Sequence, residues 1–496
     1  MDVGKANPSI SSISADGASP DPRRWKALVV LCAATFIIIL DGSIVFVALP
    51  SLAQDLKLTP TGVQWVLSSY LLSFGGLLLL GGRLADLLGR RRMFMLGGAL
   101  LAVSALFCGL AWNGDALITA RVVQGVAAAI MTPSALSILM NTFKEGRERN
   151  IALGVWSSAG GVGGTIGSLV GGPLTDGPGW SWVFFVNIPV AVAMVAVSPL
   201  VLRESFDKGR ARTFDVAGAL TSTVAMVVLV WAIVDAPTAG WSSGKTVWKL
   251  VISGALLLVF LAVESRSKAP LLPLRYLRSK GFVGGNLVMT TVGMAVHGGM
   301  AFTLTQYAQG ILGYSAVEFG LMFAVMTVLT ILGSTLAGGP LVTRFGPRPV
   351  AIGGLLLIGA ACLTLTQLSF PGSFSGDMLF GMILFGPGLG AAFVASSIAA
   401  LAGVPERDSG IASGVSNAAF HVGGALGISI MATIAVSNAS GPIPPVAFTH
   451  GFNVAFGYAI IFAGVGILAA LVLLGRSKKS AVAEISPSQP DHRAAA

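Results

Sequence analysis

Two charged side chains occur inside long apolar stretches of this sequence. Asp41 lies well inside the first stretch, and Arg121 lies a few residues inside the fourth. A lone charge at that depth in hydrocarbon costs ~2.5–3.5 kcal/mol, so such groups are paired, neutralised or in contact with water. An arginine beside a carboxylate holds it ionised, and separating the two favours protonation. The two residues therefore predict a site that takes up and releases a proton.

Each of the two residues also has a purely structural interpretation. Asp41 can mark a helix end at the outer headgroups, and Arg121 can brace two helices through backbone carbonyls. Measured from the outer end of each stretch, the two residues lie at a similar depth in the membrane. This favours a pair in which they face each other.

The second half of the sequence contains two deeply placed histidines, His297 and His421. Either can titrate near neutrality or serve as a neutral hydrogen-bonding residue of the core. Aromatic and amide side chains are candidates for lining a cavity for an organic ligand, although such residues are also common in packing and at membrane interfaces. Together with the two histidines, these candidate cavity residues are Trp65, Tyr70, Trp156, Phe302, Gln306, Tyr307 and Gln309.

The composition places these residues in a membrane protein. Of 496 residues, 54% are hydrophobic and 10% are charged, and the mean hydropathy is +0.82, whereas soluble proteins carry about 25% charged residues. Fourteen runs are apolar over the ~20 residues that a helix needs to cross the hydrocarbon layer. The sequence therefore predicts an all-α polytopic membrane protein with 14 transmembrane helices.

The basic residues predict the orientation of the chain. Nearly all of the 31 Lys and Arg residues fall in the termini and in alternate loops, and only Lys57, Lys245 and Lys249 fall on the other side. Because Lys and Arg gather in cytoplasmic loops, both termini are predicted to be cytoplasmic in a multi-pass protein of the cell membrane. The net charge of +10 is explained by this topology, and no nucleic-acid partner is predicted.

Two short segments recur in the second half of the chain. GRLADLLGRR at 82–91 has an echo, GPLVTRFGPR, at 339–348, and VGGTIG at 162–167 has an echo, VGGALG, at 422–427. Both pairs are eight predicted helices apart, which indicates two six-helix halves separated by an inserted helix pair. The predicted divisions are a polar cytoplasmic leader at 1–25, a first bundle at 26–201, the inserted pair at 202–280, a second bundle at 281–474 and a cytoplasmic tail at 475–496.

The loop between the second and third helices combines glycines, one acid and several arginines. Gly82 and Gly89 permit a tight turn and a close approach, Asp86 can pair or cap, and Arg90 and Arg91 can engage neighbouring helix ends. This combination predicts a conformational latch. The alternative, a positive-inside topology anchor, explains the arginines but not the aspartate or the glycine spacing.

These segments resemble motifs of the major facilitator superfamily. GRLADLLGRRR resembles its cytoplasmic hairpin motif, and LDGSIVFVALP at 40–50 looks like the first-helix motif of its fourteen-helix drug:proton antiporter family. Arg121, Gln124 and Gly125 are similar to its fourth-helix motif. The fifth helix is similar to the antiporter glycine pattern, with Ser168 where proline is usual. The matching glycines are Gly154, Gly163, Gly167, Gly171 and Gly172.

The resemblance implies the major facilitator fold, a proton relay that includes Arg121 and Gln124, and a fifth helix that seals the two halves against leak. It also implies a secondary active exporter of amphiphilic drugs or antibiotics, driven by proton exchange through alternating access. The alternative on the same scaffold is an exporter or flippase of a lipid or an endogenous metabolite. A receptor or scaffold without transport is disfavoured by the charges of Asp41 and Arg121 inside the spans.

No enzyme, cofactor or metal site is predicted from the sequence. No nucleophile, base and oxyanion set is recognisable, and Cys32, Cys108 and Cys362 have no metal-binding spacing. The expected partners are the lipid bilayer, protons and an amphiphilic small molecule, and a monomer is expected. The inserted pair is expected to be peripheral, with Ala225 facing lipid.

Overall fold

The computed structural model describes residues 22–143, 147–205, 215–267, 270, 273–404 and 409–475, and these residues form helices joined by short loops. Fourteen long helices follow one another in this part of the chain. They are α1 (Arg24–Asp55), α2 (Pro60–Leu88), α3 (Arg90–Gly109), α4 (Gly114–Thr142), α5 (Arg147–Asp176), α6 (Trp182–Val201), α7 (Val216–Ala239), α8 (Gly244–Arg266), α9 (Lys280–Ile311), α10 (Ala316–Leu336), α11 (Pro347–Leu365), α12 (Phe374–Leu401), α13 (Ser409–Ser437) and α14 (Pro444–Leu473).

Side-chain caps explain where several helices begin. Thr59 accepts a hydrogen bond from the Gly62 amide at 3.1 Å and is followed by a proline in the first helical position. Ser315 and Glu318 form a reciprocal capping box at the start of α10. Each cap satisfies an amide that has no partner within the helix.

Twelve of the helices in the described residues are long and apolar enough to cross a membrane. The two others are α5, whose glycines lower its hydropathy, and α7, whose described apolar stretch, Leu220–Ile233, is shorter. The chain is therefore a multi-pass membrane protein. The count of fourteen crossings stays a prediction.

The helix contacts repeat between the two ends of the chain. In the first set, α1 packs on α5 and α6, α2 on α4, and α3 on α4 and α6. In the second set, α9 packs on α13 and α14, α10 on α12, and α11 on α12 and α14. Each pairing is thus repeated eight helices later. The internal sequence repeat corresponds to this repetition of helix pairings.

Two seams join the two sets of helices, one between α2 and α13 and one between α5 and α10. Both are close because glycines remove side-chain volume. A Cβ on Gly320 of α10 would overlap the carbonyl oxygen of Ser168 in α5, and a Cβ on Gly75 of α2 would lie 3.1 Å from the Cβ of His421 in α13. Small residues permit this backbone approach in membrane helices.

The α7–α8 pair packs against the α2–α13 seam rather than standing apart from it. α7 contacts both α2 and α13, and Thr223 Oγ1 donates a hydrogen bond to the Gly76 carbonyl at 2.9 Å. The expectation that Ala225 faces lipid is wrong. Its side chain is fully buried, and its carbonyl accepts a hydrogen bond from Ser253 Oγ of α8 at 2.8 Å. An all-apolar helix has no polar face to reveal which side another helix covers.

Candidate functional site

A buried hydrogen-bonded network surrounds Asp41 in the first set of helices. Arg121 Nη1 donates to one carboxylate oxygen at 2.7 Å. Gln124 Nε2 and Asn187 Nδ2 donate to the other oxygen at 2.9 Å and 3.0 Å. The four side chains come from α1, α4 and α6, and each is at most 1% exposed. Asp41 therefore accepts three hydrogen bonds, and the charge of Arg121 balances its own.

Arg121 is held in place by further contacts on its other side. Its Nε donates to the Val66 carbonyl of α2 at 3.2 Å, and Nη1 also donates to Gln124 Oε1 at 2.7 Å. The guanidinium carbon lies 4.2 Å from the centre of the Tyr70 ring, an arrangement that stabilises a cation in a dry environment. Cys108 Sγ lies 3.6 Å from Gln124 Oε1. The network is thus built from five neighbouring helices.

The structure brings together Asp41, Arg121 and Gln124, the three residues for which the sequence predicts proton exchange. Sequence reasoning missed Asn187, whose Oδ1 is buried without a hydrogen-bond partner among the described residues. The sequence signal for a functional role of Asn187 is a polar amide within the apolar run of α6. Because Asn187 is far from Asp41 along the chain, the sequence does not indicate that the two side chains meet.

The predicted latch residues lie at the junction of α2 and α3. Asp86 accepts two hydrogen bonds from Arg90, at 2.9 Å and 3.1 Å. Arg91 donates its amide to Glu204 at 3.1 Å and its guanidinium to the Leu202 carbonyl at 3.3 Å. Arginine therefore engages the end of the neighbouring helix α6. Glu204, which the sequence analysis did not single out, is the acid that receives it.

The two latch glycines have different surroundings. Gly89 has φ of +109°, which favours glycine, and forms the turn between the two helices. Gly82 is not in a turn, because α2 continues to Leu88, and a Cβ there would make an ordinary 3.4 Å contact with Pro133. The close approach belongs to Gly81, where a Cβ would overlap a carbonyl of α4. The turn role predicted for Gly82 is therefore wrong.

We expect Glu204→Gln and Asp86→Asn each to slow transport at saturating substrate while leaving substrate binding unchanged. These partly exposed ion pairs contribute about 1 kcal/mol, or roughly a fivefold shift in a two-state equilibrium. The measurement is turnover in vesicles beside equilibrium binding to the purified protein. Glu148→Gln is the matched control, since Glu148 pairs with Arg24 at 2.8 Å away from the latch. Weakened binding with normal turnover would contradict the latch.

The glycines of α5 contact two different helices. Cβ atoms on Gly163 and Gly167 would lie 2.5 Å and 2.8 Å from carbonyl oxygens of α1, and one on Gly171 would lie 3.0 Å from Ile44 of the same helix. These three glycines pack within the first set of helices. At Gly172 a Cβ would instead overlap the backbone of α10 at Val317.

The contact between the two halves thus involves Gly172 and the backbone of Ser168 rather than the regularly spaced row. Ser168 Oγ donates to the Thr165 carbonyl at 2.9 Å, and the helix continues through this position. Gly154 has open space around it, because a Cβ at this position would have no atom of another described residue within 4 Å. The seal implied by the resemblance is therefore a proposal for Gly172 and Ser168, whereas Gly163, Gly167 and Gly171 serve packing on α1.

The predicted cavity residues do not all come together. Gln309 Nε2 donates to the Val47 carbonyl of α1 at 3.0 Å and so joins the two halves. Tyr307 is fully buried, and its hydroxyl donates to the Ser369 carbonyl at 2.7 Å in the loop before α12. This hydrogen bond directs its polar end into that loop, and the place of the Tyr307 ring in a cavity lining stays a prediction.

The remaining candidates differ in burial and in partners. Phe302 is buried and Trp65 is half-buried against the core. Trp156 Nε1 and Gln306 Oε1 are buried and have no hydrogen-bond partner among the described residues. Buried polar atoms without partners are uncommon in proteins and mark places where a ligand or water can be accommodated. Tyr70 belongs to the Asp41 network. His297 and His421 lie against each other and against phenylalanine rings between the two sets of helices.

The fold and the site together define a class of protein: a multi-pass α-helical membrane protein with two similarly paired sets of helices and a buried charge network in the first. The sequence profile of the Major Facilitator Superfamily matches residues 31–428 and 282–491. The chain belongs to this superfamily. The family predicted from the sequence motifs is thereby confirmed, and it is a family of transporters rather than enzymes.

Related proteins match over most of the chain. It is 36% identical to the puromycin resistance protein pur8 of Streptomyces alboniger, over 97% of this chain and 99% of that protein. It is 32% identical to the tetracenomycin C resistance and export protein of Streptomyces glaucescens, over 85% of this chain and 78% of that protein. A solved structure, the POT family transporter PepTSo, matches with a TM-score of 0.68 and 16% identity over 91% of this chain and 97% of that one, which shows the fold.

Proposed function

We propose that this protein exports amphiphilic drugs or antibiotics from the cell in exchange for protons. The observation that carries the proposal is the buried network in which Asp41 accepts hydrogen bonds from Arg121, Gln124 and Asn187. The names of the full-length relatives, a puromycin resistance protein and a tetracenomycin C resistance and export protein, support a drug or antibiotic as the substrate.

In the proposed cycle, Asp41 alternates between a paired and a protonated state. Arg121 holds the carboxylate ionised in the closed network, which is sealed from solvent on all sides. A proton reaches Asp41 only when the two bundles rock apart and open a path to it from one side. Protonation removes the charge that attracts Arg121, so the guanidinium loses its ion pair and the helices that carry the two residues can separate. Substrate entry and proton release then accompany the return to the paired state.

The moving parts are, in this proposal, the bundles 26–201 and 281–474, which rock about the α2–α13 and α5–α10 seams. The pair in 202–280 travels with the α2–α13 seam that it contacts. The distribution of basic residues supports fourteen crossings with both termini in the cytoplasm. The latch residues Asp86, Arg90 and Arg91 then lie on the cytoplasmic face.

The proton gradient is large enough for this task. One proton that moves through 100 mV and one pH unit supplies about 2.3 plus 1.4 kcal/mol. That sum supports roughly a 500-fold concentration ratio of a neutral substrate with one proton exchanged per molecule. Such a ratio is sufficient for resistance to a compound that enters the cell by diffusion.

We expect substrate addition to release protons from the purified protein. The substrate is first identified with a drug-susceptibility panel, in cells with and without expression of the protein, that includes puromycin. Proton release is then measured with a pH indicator in weakly buffered detergent solution, because entry of the substrate favours the ionised, paired state of Asp41. Asp41→Asn should abolish the release, whereas Asp115→Asn, at an exposed helix start, should not. Binding without proton release in the unmodified protein would contradict proton exchange.

A further inference from the structure

Five ring side chains from both halves of the molecule meet in one cluster, which we call the ring cluster. Phe74 of α2 lies against His421 of α13, with ring centres 4.2 Å apart. His421 lies 6.3 Å from His297 of α9, which in turn lies 5.0 Å from Phe420 and 6.2 Å from Phe46 of α1. The rings therefore come from α1 and α2 on one side and from α9 and α13 on the other.

The ring cluster is connected to the proton site through neighbouring rings. Tyr70, which lies under the Arg121 guanidinium, is one turn from Phe74 in α2, and their ring centres are 5.9 Å apart. Phe74 then contacts His421 across the seam. The ring cluster is thus connected to Arg121 by the contacts of Phe74 and Tyr70.

His421 has a polar atom with no partner. Its side chain is 9% exposed, and its Nδ1 makes no hydrogen bond with any described residue. An unpaired polar atom buried in this way is destabilising. It is therefore suited to receive a hydrogen bond from, or donate one to, a bound molecule.

His297 has a defined tautomer in its neutral form. Its Nδ1 lies 3.1 Å from the Gly293 carbonyl, which can only accept, so Nδ1 carries the proton and Nε2 carries a lone pair. The residue lies in a π-helical stretch, Met294–Thr303, and such stretches are rare and frequently mark functional sites. The Nε2 lone pair suits a hydroxyl or amide donor.

The surroundings of the ring cluster disfavour a positively charged ligand. Among the described residues, Asp41 is the one acid deep within a helix, and Arg121 already balances it. Every other described acid lies in a loop or within four residues of a helix end. A cation placed between the rings would have aromatic faces but no carboxylate to pair with, and an unpaired charge is costly in such an environment.

We propose that the ring cluster is the substrate subsite for a planar, uncharged aromatic group that carries a hydroxyl. The ligand ring would stack between Phe74 and Phe420 when the α2–α13 seam opens, and its hydroxyl would hydrogen-bond to the unpartnered Nδ1 of His421. This inference rests on the proposed export function for its physiological meaning. It concerns binding, however, and it holds or fails independently of proton coupling.

Three probes that share one ring system test the proposal in the unmodified protein. They are anthracene methanol, methylanthracene and aminomethyl anthracene, which differ in carrying a hydroxyl, no polar group or an ammonium. Equilibrium binding to purified protein in detergent micelles is measured by quenching of probe fluorescence, with protein-free micelles as the blank. We expect the hydroxyl probe to bind about tenfold more tightly than methylanthracene, because one hydrogen bond to a buried group changes affinity by about this factor. The ammonium probe should bind at least about tenfold more weakly than the hydroxyl probe.

Two variants and a matched control locate the site. His421→Phe keeps a ring and should remove the advantage of the hydroxyl probe, and Phe420→Leu should weaken both neutral probes about fivefold through loss of stacking. Phe380→Leu, at a position 59% exposed on the outside of α12, should change neither. Equal binding of the ammonium and hydroxyl probes, or an effect of Phe380→Leu as large as that of Phe420→Leu, would overturn the proposal. Probe binding without proton release would count against the proposed proton exchange and leave this subsite standing.

Discussion

Replacing Asp41 by asparagine should abolish proton-driven export while the protein still inserts and folds. The amide has nearly the shape of the carboxylate, but it cannot alternate between a charged and a neutral form. One proton can sustain a substrate concentration ratio across the membrane of roughly 500, and without coupling this ratio should fall to about one. No other described carboxylate lies at that depth, so no second acid can take over the proton.

The structure also gives this variant a cost in stability. Removing the carboxylate leaves Arg121 buried without its ion pair, and breaking a buried pair in this way costs ~3–5 kcal/mol. Part of this cost is offset because Arg121 still donates to Gln124 and to the Val66 carbonyl. We therefore expect a lower melting temperature in detergent together with a folded protein that elutes as a single species.

Transport in proteoliposomes under an imposed pH gradient measures the effect of Asp41→Asn. Asp115→Asn makes the same chemical change at the exposed start of α4 and should transport as the unmodified protein does. Asn187→Ala removes one of the three donors to Asp41 and should retain coupled transport at a reduced rate. Export that responds fully to the gradient in Asp41→Asn would show that the proton is carried elsewhere.

Replacing Gly172 by leucine should arrest transport by wedging α5 away from α10. A Cβ at this position would overlap the Val317 backbone, and backbone cannot move aside as a flexible side chain can. A hydrogen bond also connects the two helices at this end of the seam, because the Val317 amide of α10 donates to Asp176 Oδ2 of α5 at 3.0 Å. Overpacking costs ~2 kcal/mol, so the closed arrangement of this seam should be disfavoured about thirtyfold.

Gly154→Leu is the matched control for Gly172→Leu, because it adds the same side chain to the same helix at a glycine with open space around it. We expect this control to retain most activity. Substrate flux and proton flux are measured together in sealed vesicles, since a seam that cannot close stops export or passes protons without substrate. Equal tolerance of the two substitutions would mean that the α5–α10 contact does not close during transport.

A leucine at Gly163 should have a different result. A Cβ there would lie 2.5 Å from the Phe36 carbonyl, inside the first set of helices rather than between the halves. This change should therefore lower the folding yield, whereas Gly172→Leu should fold normally and fail in transport. The contrast separates packing of α5 on α1 from closure of the seam.

Much of the architecture could be predicted from the amino-acid sequence. A run of about twenty apolar residues has one stable form in hydrocarbon, a helix that satisfies its own backbone hydrogen bonds. A charge in such a run must find a partner, which made Asp41 and Arg121 recognisable and their pairing an expectation. The recurring segments at 82–91 and 339–348 likewise indicated the repeat that the helix pairings display.

Only the tertiary structure decided which faces meet. Lipid is as apolar as a helix surface, so sequence periodicity does not distinguish a lipid neighbour from a protein neighbour. For this reason the sequence does not reveal that Ala225 is buried, or that the close approach to α4 is made by Gly81 rather than by Gly82. The partners of Asp41 and His421, namely Asn187 from α6 and Phe74 from across the seam, follow from long-range packing, which brings together residues far apart in the chain.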